Sequence, residues 1–392
     1  MLALVVPGLA LAANTNGAPS PVSSPSSTHK WGWPLLGFDP AHTGSNPHET
    51  ILSSSSVGGL GLAWSRSTGR RGYILGGSPL VTRSGQVIVP GADAHIHAFD
   101  ATTGSASWRS AIQSTSLADA VGGKLVYVGT SAGLSALKTS SGRVVWSDHH
   151  PESPCVDQEI EAPPNATDGV VYAALNDPEL VAVEARDGAC VWASPAKMGF
   201  VQESSPAVKD GVVYAGDDGG QLFAVDASDG SVLWHAAASS SGDVSTPVVA
   251  GRRVYATSAD EVGAYKASTG ARIWAVRLGR SETPAAPAFA SGVLYVGSND
   301  GTVYALDSKG NVLWQASLGA ASSVSVSLAN GVVYVSADAL YALDAATGSI
   351  LWSGAIGNSA DTPFGSTPAI VDGMVYVEGN QGRLYAFGLP DA

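Results

Sequence analysis

Eight tryptophans recur along this chain, at Trp64, Trp108, Trp146, Trp192, Trp234, Trp274, Trp314 and Trp352, with successive spacings of 44, 38, 46, 42, 40, 40 and 38 residues. A period near 40 residues is that of a four-stranded blade, a unit that cannot bury its apolar faces except against further copies of itself. The repeat therefore constrains the fold before any single residue does.

Each interval carries one pattern, clearest from Ser204 to Trp234 and from Ala286 to Trp314. An apolar run follows a proline, and a Gly-containing turn leads into a run such as VVYAG. A second turn leads into LFAVD or VYALD, and a third into VLW. These are four short antiparallel strands, A to D, joined by hairpins whose Asn, Asp and Gly supply positive φ angles. The A–B turn can be counted independently, at Ser84-Gly85, Gly122-Gly123, Asp168-Gly169, Asp210-Gly211, Ala250-Gly251, Ser291-Gly292, Asn330-Gly331 and Asp372-Gly373, which makes eight. The C run also appears eight times, the last as YAFG at Tyr385 to Gly388. That last unit has no D strand, whereas Leu62-Ala63-Trp64 is a D strand with no unit before it. Pairing the two leftovers closes a ring and leaves only short, protected edges. The expected fold is all-β, a single eight-bladed β-propeller of four-stranded antiparallel blades, closed by an N-terminal strand.

Residues 1–13, MLALVVPGLALAA, read as the core and cleavage region of a secretory signal peptide, too short to span a bilayer. Residues 14–30 are a Ser/Pro-rich linker with nothing to bury and are expected to be disordered. Residues 31–60, opening with Trp31 and containing Asp39, His42 and Asn46, read as a strap over one face or edge of the ring, and 61–392 as the propeller. The chain is thus expected outside the cytoplasm, in a secreted, periplasmic or cell-envelope location, as a monomer without a transmembrane segment. In an oxidising compartment its two cysteines, Cys155 and Cys190, are expected to pair, provided the connector holding Cys155 folds down the outer edge of its blade. A net charge of -13 repels a phosphate backbone, so nucleic acid is not an expected partner.

The run A-x-D-x-x-T-G-x-x-x-W, complete from Ala98 to Trp108 and from Ala342 to Trp352, resembles the repeat of pyrroloquinoline quinone (PQQ) propellers. Other copies depart from it, with Lys138, Glu184 and Lys266 in place of the Asp. The resemblance covers residues 60 to 388 and implies that the eight tryptophans pack between blades as structural residues. The same repeat builds quinoprotein dehydrogenases and non-catalytic relatives such as the propeller lipoprotein of the outer-membrane β-barrel assembly machinery. WD40 proteins share the period, but no Trp-Asp dipeptide occurs here.

A calcium-dependent quinoprotein resembling the alcohol oxidisers would carry a vicinal Cys-Cys pair, absent from this chain, and no CxxCH haem site occurs either. The D-to-A connectors that crown the channel hold Glu159, Glu161, Glu203, Asp243, Glu282 and Asp361. Of these, Glu161, Glu203, Asp243, Glu282 and Asp361 form a candidate group for calcium or a basic partner, weighed against solvated loop charges. His95 and His97 lie two apart in a C strand and share a face, with His149 and His150 in a later connector; a metal there competes with packing, since His97 falls at the position of Tyr304, Tyr341 and Tyr385. The expected function is a non-enzymatic binding or scaffolding module for a protein, peptide or glycan, without a cofactor. The alternative is a PQQ-dependent oxidoreductase using PQQ and calcium at the channel, and a third class is a hydrolase or lyase sited there.

Overall fold

The computed structural model describes residues 31–69, 78–115, 120–147, 155, 159–160, 162–175, 179–194, 204–239, 242–258, 261–278, 286–298, 300–319, 325–357, 366–379 and 382–390. Eight antiparallel sheets follow one another around a ring, so the chain is an eight-bladed β-propeller. Blade 4 is representative, with A strand Ala207–Lys209, B strand Val212–Gly216, C strand Gln221–Asp226 and D strand Val232–Ala237. Its B and C strands are apolar on both faces because a neighbouring blade covers each face. Its D strand alternates exposed and half-buried residues along the outer rim. At the A–B turn Asp210 and Gly211 have φ of 50° and 77°, the left-handed pair that a two-residue hairpin requires.

The A strands form the inner ring: Leu80–Val81, Ala120–Gly122, Asn165–Thr167, Ala207–Lys209, Val248–Ala250, Ala288–Ala290, Ser325–Ala329 and Ala369–Val371 for blades 1 to 8. Blade 8 is composite. Its outer strand is Gly61–Ser67, antiparallel to Arg383–Gly388, with Gly61 opposite Gly388 and Ser67 opposite Arg383.

The blades are tied together by the repeat tryptophans. Each indole Nε1 donates to a backbone carbonyl of the next blade: Trp64 to Ala101 (3.1 Å), Trp108 to Thr139 (2.7 Å), Trp146 to Ala185 (3.1 Å) and Trp192 to Ala227 (2.9 Å). Trp234 continues to Ala267 (2.8 Å), Trp274 to Ser308 (3.0 Å) and Trp314 to Ala345 (3.0 Å). Blade 8 has no C–D turn, and Trp352 donates instead to Leu60 (2.9 Å), the residue just before the closing strand. The accepting carbonyls sit in C–D turns shaped by the repeat motif. In blade 1, Asp100 Oδ1 accepts from the amides of Thr102 (3.1 Å) and Thr103 (2.8 Å), and Gly104 has φ of 67°. That glycine also makes room for the indole, since a Cβ on it would lie 2.6 Å from Trp64.

Cys155, in the connector from blade 2 to blade 3, is disulfide-bonded to Cys190, the first residue of the blade 3 D strand Cys190–Ala193, with Cα atoms 5.5 Å apart. Its buried side chain packs with Leu134, Ile160 and Val171, so the bridge holds the connector against the blade 2–3 core.

Two stability outcomes follow from this geometry. At Gly230, φ is 75° and a Cβ would lie 2.7 Å from Trp192, whereas at Gly211, φ is 77° and nothing lies within 4 Å. Gly211→Ala is expected to cost about 1 kcal/mol, from the left-handed backbone alone. Gly230→Ala should cost about 1–3 kcal/mol more, from displacing the indole; equal urea midpoints for the two variants would contradict that role for the contact. The bridge closes a span of 35 residues. Replacing both cysteines by alanine is expected to cost about 4 kcal/mol by loop-closure entropy, read as a lowered melting temperature that reductant reproduces in the parent protein.

Candidate functional site

The strap does not merely lie over the ring. It runs along the inner strands and reaches the blades in order. Trp33 pairs with Val81 of blade 1 through two 2.8 Å backbone bonds. Leu35 is buried between blades 2 and 3, beside Tyr127, Leu134 and Val171. The Pro40 carbonyl accepts from Asn165 Nδ2 of blade 3 (2.8 Å) and from the Val208 amide of blade 4 (2.6 Å). The carbonyls of Ala41, Thr43 and Gly44 then accept from the amides of Val249, Phe289 and Leu328, in blades 5, 6 and 7, at 2.9, 2.7 and 2.7 Å. Ser45–Asn46 continues as a short parallel strand beside Ser325–Ala329, and Asn46 Nδ2 donates to Ile370 of blade 8 (2.7 Å). Glu49 finishes the circuit, accepting from the Gly373 amide (3.0 Å) and from its own Ile51 and Leu52 amides. Inner-strand amides that would otherwise face the channel are satisfied by one segment of the same chain.

Packing the strap buries polar groups. Asp39 accepts from Thr43 Oγ1 (2.6 Å) and from the Thr43 amide (3.0 Å); burial pushes its carboxyl above the usual range, against the opposing pull of those bonds. His42 has φ of 54°, is fully enclosed, and is pushed down to about 3 by burial alone. Its Nε2 lies 3.2 Å from Asn165 Nδ2.

Beside the strap's entry, a cavity of about 970 Å³ opens between it and the A–B turns of blades 1 and 2. The strap supplies Trp31, Pro34, Phe38 and Asp39, and the blades supply Arg83, Lys124 and Lys138. Trp31 stacks on His48 with ring centres 3.7 Å apart and planes 8° apart, and the Arg83 guanidinium lies over the indole at 5.9 Å.

Of the carboxylates proposed for calcium, Glu161, Glu203, Glu282 and Asp361 lie outside the described residues. Asp243 is half-buried, and burial, reinforced by the nearby Asp218 charge, raises its carboxyl. Among the described residues no three His, Cys, Asp or Glu side chains converge as metal ligands. His97 Nε2 donates to Asp93 (2.9 Å), whose other oxygen accepts from Arg109 Nε (2.9 Å), while His95 Nδ1 meets the Ser110 carbonyl. His97 also stacks on Phe99 with planes 7° apart, as Tyr385 stacks on Phe387 with planes 14° apart, so it fills the repeat's packing position. His149 and His150 lie outside the described residues, as do residues 1–30, where a signal peptide and linker are expected. The run Gly129-Thr130-Ser131-Ala132-Gly133 has the spacing of a hydrolase nucleophile elbow. It forms the hairpin between Leu125–Thr130 and Gly133–Lys138, not the strand-to-helix turn an elbow requires. Sequence reasoning missed the cavity, whose residues are far apart in the chain and share no motif.

Because folded His42 stays neutral while an unfolded one takes a proton below its ordinary value of 6.5, its contribution is present above pH 6.5 and is lost as the pH falls towards 3. The slope reaches about 1.4 kcal/mol per pH unit in that window. His42→Asn tolerates the positive φ and does not titrate, so its stability should fall less between pH 6.5 and 5. Asp39 titrates in both proteins, and parallel profiles by chemical unfolding would remove His42 as the cause.

A family model described as outer membrane protein assembly factor BamB matches residues 92–309 and 299–391. No curated protein resembles the chain closely enough in sequence to count as a relative. Among solved structures, BamB from Moraxella catarrhalis is 17% identical, with 85% of this chain and 98% of that one covered at a TM-score of 0.65. The quinohemoprotein alcohol dehydrogenase from Comamonas testosteroni is 18% identical, with 93% and 82% covered at a TM-score of 0.73. The computationally designed Ika8 protein is 16% identical, with 78% and 93% covered at a TM-score of 0.66. These structural likenesses are to the propeller fold. The sequence match extends over most of the ring that the tryptophans and the composite blade build, and the chain belongs to the PQQ-like repeat family described as outer membrane protein assembly factor BamB.

Proposed function

We propose that this protein is a non-enzymatic scaffolding propeller that works outside the cytoplasm and binds a protein partner through the surface of its ring. The observation that carries this reading is the strap: residues 33–49 occupy the inner strands of blade after blade, so the channel wall is engaged by the chain itself and recognition falls to turns, connectors and rim. Membership of a family described by its role in outer membrane protein assembly supports the same reading. An extracytoplasmic location is supported by the apolar residues 1–13 and by the Cys155–Cys190 bridge, a bond that persists in oxidising compartments. No helix among the described residues is long and apolar enough to cross a membrane.

The competing reading is a quinoprotein oxidoreductase. Titration of the purified chain with PQQ, with and without calcium, followed by calorimetry and a dye-linked alcohol oxidation assay, separates the two. The expected outcome is no saturable PQQ binding and no dye reduction; stoichiometric binding with turnover would overturn the scaffold reading.

A further inference from the structure

The cavity beside the strap's entry is lined by cations in a chain of net negative charge; blade 5 repeats the turn cations, at Arg252 and Lys266, but neither lines this cavity. The chain carries a net charge of -13, and the A–B turns of blades 3, 4 and 8 present Asp168, Asp210 and Asp372. At blades 1 and 2 the corresponding turns present Arg83 and Lys124. The C–D turn of blade 2 opens with Lys138, where blades 1, 4, 6 and 7 have Asp100, Asp226, Asp307 and Asp344. Those aspartates accept hydrogen bonds from their own turns, as Asp100 and Asp344 do from Thr103 and Thr347, so the lysine gives up a turn cap. Arg83, Lys124 and Lys138 are all exposed, and none forms an ion pair with a described residue. All three line one cavity with Trp31, Pro34 and Phe38.

Three cations without an ion pair among the described residues surround a mostly apolar wall whose carboxylate, Asp39, is occupied by Thr43. Together they attract a ligand with several carboxylates and a hydrophobic group between them. Residues 14–30, which precede Trp31 in the sequence, contain no Asp or Glu, so that segment of the chain supplies no carboxylate to neutralise it. The indole is already stacked on His48 and overlaid by Arg83, which makes it a fixed wall rather than a free platform for a sugar ring. A volume of about 970 Å³ takes a few side chains of a peptide.

We propose that this cavity binds an acidic peptide segment of a protein partner, with its carboxylates on Arg83, Lys124 and Lys138 and an apolar side chain against Trp31, Pro34 and Phe38. The proposal rests on the scaffold reading above and supplies the partner's chemistry. The guanidinium over Trp31 is positioned to take a carboxylate through two N–H groups, and the lysines act as point charges at the rim.

The test is fluorescence anisotropy on the full mature chain. The probe is a fluorescein-labelled peptide of three Glu-Glu-Phe repeats, beside a Lys-Lys-Phe counterpart and unlabelled tetragalacturonate as competitor. Saturable binding of the acidic peptide is expected, weakening as salt rises. It should fall at least about tenfold, ~1.4 kcal/mol, in the Lys124→Glu/Lys138→Glu protein, with no binding of the basic peptide. Both lysines are exposed, so this variant should keep the parent's melting temperature; Lys124→Gln/Lys138→Gln, which adds no negative charge, should show a smaller loss. Absence of saturation, equal affinity in the variants, or displacement by tetragalacturonate at the same concentration as by unlabelled peptide would each overturn the proposal. A silent peptide leaves the scaffold reading intact, whereas PQQ turnover would sink that reading without changing the anisotropy.

Discussion

The structure depends on one contact repeated around the ring: an outer-strand indole that packs on a glycine of the next blade and donates its N–H to a carbonyl in the same turn. Neither half suffices alone. The indole supplies apolar area to an interface between two sheets, and its polar edge would be costly to bury without an acceptor. The acceptor sits in a C–D turn shaped by a left-handed glycine and, where the motif is kept, by its own aspartate, as Asp100 and Gly104 hold the turn that receives Trp64. Three motif positions that look independent in sequence thus serve one interface. In blades 4, 6 and 8 a B-strand tyrosine reinforces it, with Tyr214, Tyr295 and Tyr376 donating to the same carbonyls as Trp234, Trp314 and Trp64.

Ring closure uses the same contact with different parts. Trp352 has no C–D turn ahead of it, because blade 8 is made from both ends of the chain, and it bonds to Leu60 instead. The strap and the closing strand are therefore continuous in function: residues 33–49 satisfy the inner edges of the sheets, Leu60 receives the last indole, and Gly61–Ser67 completes the last sheet. Exposed strand edges are the weakness of any open array of sheets, and here one stretch of chain covers the inner set and closes the outer one. With the inner wall engaged this way, the turns are where single substitutions such as Lys138 for a capping aspartate change surface charge without touching the core.

The fold was legible because its determinants are local and repeated. Tryptophan spacing, the A–B turns and the unmatched strand at each end lead to eight blades and to the pairing of Leu62 to Trp64 with the final C run. His97 was ambiguous as a metal ligand in sequence, and its stacking on Phe99 and pairing with Asp93 show how a histidine fills a tyrosine position. The connector carboxylates were grouped by their place in the repeat alone. Asp243, the one member of that group among the described residues, is half-buried with the Asp218 charge nearby, and the other four lie outside the described residues.

By itself the sequence determined the blade count, the four-stranded unit, the closing strand and the charge that disfavours nucleic acid, because each follows from short-range pattern or from a sum over the chain. The tertiary structure alone decided that the strap threads the inner strands, that His42 is enclosed and held neutral, and that Trp31 meets Arg83, Lys124 and Lys138 around one cavity. These depend on where a non-repeating segment lies against a closed ring. No periodicity encodes that path, which is selected by the unpaired amides and the shaped surface that the ring presents once it has formed.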